Sequence, residues 1–155
     1  MVSKMKSGYT LIITEKPTAA DRIAKALDLE GRPKRMSLGS IPYFLARGEK
    51  DIVVVSALGH LYTVAQEGKE RNNYPVFDFR WLPRYMVERD AGKTQSWIEA
   101  ISKLAEGADG FVNSCDYDIE GSLIGYTILK YACGGRENSA KRMRFSTMTK
   151  SELVE

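Results

Sequence analysis

The chain has 155 residues, 43% hydrophobic and 28% charged, with a net charge of +3, a balance expected of one globular domain large enough to bury a core. Its single histidine and two cysteines exclude a four-ligand structural zinc site and a disulfide framework. No apolar run approaches membrane-spanning length. The basic leader Met1–Gly8 is followed by Leu11–Ile13, too short for a signal-peptide core, so an intracellular protein is expected.

Residues 10–14, built on Leu11-Ile12-Ile13, predict a buried strand that Glu15-Lys16-Pro17 stops. A helix over 18–28 follows. Ala19, Ile23, Ala26 and Leu27 share one face, Asp21, Arg22 and Lys25 lie off it, and Thr18 is the expected N-cap. Short extended pieces near 35–46 precede a strand over 52–57. From 62 to 93 the chain reads as a long irregular region that includes Asn72-Asn73-Tyr74-Pro75 and Leu82-Pro83. A loop of that length is either functional or packed on a partner domain. The remaining pattern predicts helix 94–105, strand 110–115, helix 122–133 and an extended segment at 141–146. Lys150–Glu155 reads as a helix begun and cut off, with Thr149 as N-cap and Glu152 three residues on. Strands alternating with helices predict an α/β fold with a mainly parallel central sheet flanked by helices.

Two segments carry chemistry. Asp116-Tyr117-Asp118-Ile119-Glu120-Gly121 places carboxylates at alternate positions after the apolar run Gly110–Cys115. Extended backbone sends alternate side chains to one face, so Asp116 and Asp118 converge, and Glu120 with them if the strand persists. Tyr117 then points the other way, as a packing residue. Neighbouring anions resist ionising together unless a cation sits among them, and oxygen-only ligands favour magnesium or manganese over zinc. Gly121 permits a sharp turn into the next helix. The plain alternative is an acidic turn at a solvated strand end. Glu15 and Lys16 also stand at the carboxyl end of a strand that feeds a helix, where open parallel sheets bind ligands.

Together these motifs resemble the topoisomerase-primase (Toprim) domain, and their context resembles type IA DNA topoisomerases of archaeal form. The matching stretches run in order: TEKPTAADRIAKAL, SALGHLYTV, FRWLPRY, NSCDYDIEGSLIGYTI and RMRFSTMTKSEL. They cover nearly the whole chain. Ile119 stands where an arginine is frequent, and Ser122 where an acid often follows the glycine. The resemblance implies a Rossmann-like Toprim fold over 1–155, an N-terminal part of a longer, cytoplasmic, chromosome-associated enzyme. It further implies Glu15 as general acid/base, Lys16 as the charge on the scissile phosphate, and Asp116, Asp118 and Glu120 as Mg2+ ligands, with Mn2+ a substitute. The nucleophilic tyrosine would come from another domain of the same chain, and the partner would be single-stranded DNA.

Three further residues are candidate DNA contacts. His60 follows the strand Ile52–Ser56, and its alternative is a loop histidine bonded to backbone. Arg142 and Arg144 lie in a basic stretch from Gly134 to Lys150, and a second cluster comprises Arg80, Arg84, Arg89 and Lys93 with Trp81 and Tyr85 interleaved. Basic residues with aromatic neighbours suit a phosphate backbone and unstacked bases, although a charge run also serves as a solvated face. Two other functions stay open on sequence grounds: a stand-alone Toprim nuclease, and a non-catalytic nucleic-acid-binding module.

Overall fold

A computed structural model describes residues 8–66 and 78–154. The first apolar run forms strand β1 (Tyr9–Thr14), and helix α1 (Pro17–Leu27) follows directly. The helix starts one residue earlier than its pattern suggests, so the N-cap is Lys16 and not Thr18. Proline explains the correction: its fixed φ and missing N–H suit the first helical position, and it forces the residue before it into extended backbone. Lys16 has φ −127° and ψ 146°. The region 35–46 resolves into β2 (Lys34–Leu38) and β3 (Ile41–Ala46), an antiparallel hairpin. Gly39, at φ +57°, supplies the left-handed backbone of its two-residue turn. Strand β4 (Ile52–Ser56) comes next.

The expected irregular region is largely structured where it is described. It contains β5 (Tyr62–Gln66), β6 (Phe79–Pro83), helix α2 (Arg84–Val87) and a 3₁₀ turn at Arg89–Ala91. Strands β5 and β6 pair as a separate antiparallel ribbon, Val64 opposite Trp81. The Asn-Asn-Tyr-Pro stretch lies outside the described residues. Helix α3 (Lys93–Glu106), strand β7 (Ala108–Asn113) and helix α4 (Ile119–Thr127) follow, and a π turn at Ile128–Ala132 extends α4. The predicted extended segment shrinks to β8 (Lys141–Arg142), and α5 (Lys150–Val154) closes the described chain. Glu152 does not complete a capping box. Its carboxylate instead accepts from the Ser146 and Thr147 amides and the Thr147 hydroxyl, and these bonds hold its pKa down to about 2.

The main sheet has the order β2-β3-β4-β1-β7-β8, parallel from β4 through β8, so the α/β expectation with a mostly parallel sheet is met. Period-two alternation along β1 assigns the two faces. Leu11 and Ile13 join Val53, Val55 and Phe111 against Ile101, Leu104, Ile124 and Ile128 of the α3/α4 layer. Ile12 and Val54 pack against Ala20, Ile23 and Ala24 of α1 and Leu153 of α5. Burying Ile23 fully is worth about 1.5–3 kcal/mol, and this anchors the helix that Lys16 begins.

Candidate active site at the carboxyl edge of the sheet

Strands β1 and β7 are parallel neighbours, with Ile13 beside Asn113. Their continuations leave in opposite directions: α1 covers one face of the sheet and α4 the other. Chain that parts this way opens a crevice at the carboxyl ends, the position where open α/β sheets bind ligands. Glu15 and Lys16 rim the crevice from β1, and Asp116 from β7. Lys16 Nζ stands 3.2 Å from Asp116 Oδ2 and donates to it across the crevice. This bond, and then the charge of Asp116, raise the pKa of Lys16. Both side chains are exposed, at 61% and 37%, so the pair adds at most about 1 kcal/mol to stability. Its content is positional.

The acids do not meet by strand alternation. β7 ends at Asn113, so Cys115 lies beyond the strand, buried, with burial pushing its thiol up to about 12. Asp116 lies in the bend that follows, Asp118 is the N-cap of α4, and Glu120 sits in the first helical turn. Asp118 Oδ1 accepts the Gly121 amide at 2.6 Å, and Glu120 Oε1 lies 3.2 Å from His60 Nε2. Three carboxylates therefore surround the positive end of one helix, where anions are favoured. The expected turn at Gly121 is also corrected, since Gly121 is helical. A Cβ there would press into the Asp116 backbone, and one at Gly125, a helical turn on, would press into the Asn113 amide, both well inside 3.0 Å. These two glycines let α4 lie directly against the loop that carries the acids.

Among the described residues, no three Asp, Glu, His or Cys side chains form a ready-made metal cage. Each acid of the cluster has its own partner: Lys16, the Gly121 amide and His60. The donor set nevertheless fits a hard divalent ion, because it is all oxygen and partly open to water, which suits a cation that keeps much of its hydration. The field points the same way. Burial is the largest cause raising the Glu15 pKa, Asp116 is the next, and Asp118 and Glu120 add to it, while Lys16 alone opposes. Four carboxylates with one ammonium leave room for a further cation.

Other predicted contacts are engaged inside the protein. Arg142 is half-buried and donates to the carbonyls of Cys115 at 2.6 Å, Asp116 at 2.7 Å and Asn113 at 3.1 Å. Its guanidinium also stacks 5.2 Å from the Tyr117 ring centre, with Arg144 at 4.8 Å. Tyr117 is accordingly 57% exposed and is not the packing residue that alternation suggests. Arg84, from the second basic cluster, donates to the His60 carbonyl and pairs with Glu88 at 2.6 Å. It braces the histidine loop. Sequence reasoning missed Asn113, whose side chain accepts from the Cys115 amide, and the bracing role of Arg142. The one signal available was the Gly121–Gly125 spacing, which marks a single helix face.

Residues 10–148 match the family model described as the Toprim domain. The chain belongs to the Toprim domain family. It is 46% identical over 145 residues to DNA topoisomerase 1 of Pyrococcus horikoshii, covering 93% of this chain and 21% of that protein. It is 49% identical over 146 residues to DNA topoisomerase 1 of Methanocaldococcus jannaschii, covering 93% and 18%. DNA topoisomerase 3 of Staphylococcus aureus is 29% identical over 149 residues, covering 93% and 19%. The chain thus spans about a fifth of the length of these curated relatives.

Proposed function

We propose that residues 1–155 form the Toprim domain of a longer type IA DNA topoisomerase, contributing to cleavage and religation of one DNA strand. The observation that carries this reading is the Lys16–Asp116 pair across the crevice, with the Glu15 carboxyl beside it held above the usual carboxylate range. Similarity to DNA topoisomerase 1 proteins over 93% of the chain supports it.

Each residue has a distinct task. Glu15 keeps its proton to a higher pH than an ordinary carboxyl, so it can give that proton to the leaving 3′ oxygen and recover it on resealing. Lys16 directs a fixed positive charge at the phosphate oxygens on which charge accumulates. Asp116, Asp118 and Glu120 would hold Mg2+, with Mn2+ a substitute. When bound, the ion neutralises phosphate charge as a Lewis acid. Arg142 fixes the backbone on which Asp116 rides. Arg144 and His60 contact the backbone of a single-stranded segment at the rim. The attacking tyrosine belongs to another domain of the parent chain. The enzyme works in the cytoplasm, on the chromosome.

Titration calorimetry with Mg2+ and Mn2+ on the wild-type chain and an Asp116→Asn/Asp118→Asn variant tests the metal half of this reading. Weak binding lost in the variant is expected, and equal binding by both would overturn it. On supercoiled plasmid the chain alone should form no denaturation-resistant DNA adduct. Such an adduct would put the nucleophile inside this chain.

A further inference from the structure

The first turn of α1 has a second neighbour besides the acid crevice. Between it and the β2–β3 hairpin runs a groove of about 390 Å³, a size that accommodates a small polar ligand. Ser56 contributes to its lining. Ile52 and Val54 pack toward α1 while Val53 and Val55 face the other layer, so alternation turns Ser56 toward α1 as well. Ser56 is only 2% exposed, and it lines the groove. A hydroxyl lining a groove can donate to or accept from a polar ligand atom. Phe44 and Pro42 form an apolar wall. Arg35, cross-strand partner of Phe44, and Arg22 of α1 stand at the rim. Neither guanidinium makes an ion pair or hydrogen bond among the described residues. Asp21, the acid of the lining, is already paired with Lys25 at 2.8 Å.

We infer that this groove is a nucleotide subsite: Arg22, Arg35 and the Ser56 hydroxyl take a phosphate, and Phe44 takes the base or sugar. Pro17 and Thr18 line the groove and follow Lys16 directly in the chain. The proposed function adds one element on which this rests, that the nucleotide belongs to the strand whose neighbouring phosphate lies at Lys16. A free mononucleotide shares the same chemistry.

The test is fluorescence anisotropy of the 155-residue chain with a labelled oligothymidylate across a salt series, with dTMP as competitor. Arg22 and Arg35 are exposed, so Arg22→Gln and Arg35→Gln should fold normally. Each should weaken binding several-fold and reduce the magnitude of the slope of log affinity on log salt by about 0.7. Ser56→Ala should weaken binding without changing the slope. Oligothymidylate binding far tighter than dTMP assigns the subsite to a DNA strand, whereas similar affinities assign it to a free nucleotide. Unchanged binding in both arginine variants, or no binding by the wild-type chain, would overturn the subsite. The Asp116→Asn/Asp118→Asn variant tests the catalytic reading separately, because these acids line a different site. Loss of metal binding there beside unchanged binding in the arginine variants would sink the subsite alone.

Discussion

Arg142 should behave as a brace rather than as a free surface cation, and Arg142→Gln separates the two. Its guanidinium closes short bonds on the Cys115 and Asp116 carbonyls, at 2.6 and 2.7 Å, and a longer one on Asn113. Cys115 and Asn113 are 1% and 7% exposed, so water cannot easily replace the lost donor at those residues. A hydrogen bond to a charged group contributes about 1.5–3 kcal/mol, which gives roughly 3–6 kcal/mol for the two short bonds. The glutamine amide recovers part of this, and Asp116 is only partly buried. A net loss of about 2–4 kcal/mol is expected, or roughly 5–15 °C in Tm for a domain of this size. Among the described residues Arg144 has only its stack on Tyr117, so Arg144→Gln should cost no more than about 1 kcal/mol. Urea denaturation followed by far-UV circular dichroism compares them, with the m-value checking that the unfolded state is unchanged. Under the proposed function, Arg142→Gln should also raise the Mg2+ concentration needed for binding, since Asp116 loses its anchored backbone. Losses below about 1 kcal/mol for both variants would refute the brace.

Asp118 serves as helix cap and proposed metal ligand, and two substitutions divide these roles. Asp118→Asn keeps a good capping side chain and should leave stability nearly unchanged while weakening Mg2+ binding in calorimetry; Asp118→Ala should lose the cap too, at about 1 kcal/mol. Gly125→Ala should destabilise by about 1–3 kcal/mol or more in the same urea assay, because the new methyl meets the Asn113 amide; wild-type stability would mean that α4 can shift away. Glu15 has a raised folded-state pKa, so its ionised form is disfavoured in the native protein. That contribution to stability is intact below the unfolded pKa and lost as pH rises through the folded one. Glu15→Gln should therefore raise the urea midpoint at pH 7.5 and leave it little changed at pH 4. A lower midpoint at pH 7.5 would show that Glu15 is stabilised in place rather than strained.

The sequence by itself determined the elements whose signal is local. Leu11–Ile13 and Ile52–Val55 are apolar runs that only a covered strand accommodates, and the spacing of Ala19, Ile23 and Ala26 permits burial on a single helix face. The chemistry-bearing positions were legible for the same reason: Glu15, Lys16, Asp116, Asp118 and Glu120 directly follow such runs, so they fall at strand ends whatever the rest of the fold does. Tertiary structure decided how they meet. Alternation along an extended strand would have gathered the three acids, but β7 stops at Asn113 because α4 docks through Gly121 and Gly125 against the loop. The acids are held instead by a cap, a helical first turn and a bend. The partnerships that tune them join residues far apart in the chain: Lys16 with Asp116, His60 with Glu120, Arg142 with the carbonyls of the acid loop. No local propensity encodes such pairs. They exist because α1 and α4 leave neighbouring strands on opposite faces of the sheet, and that parting brings the ends of β1 and β7 together around one open crevice.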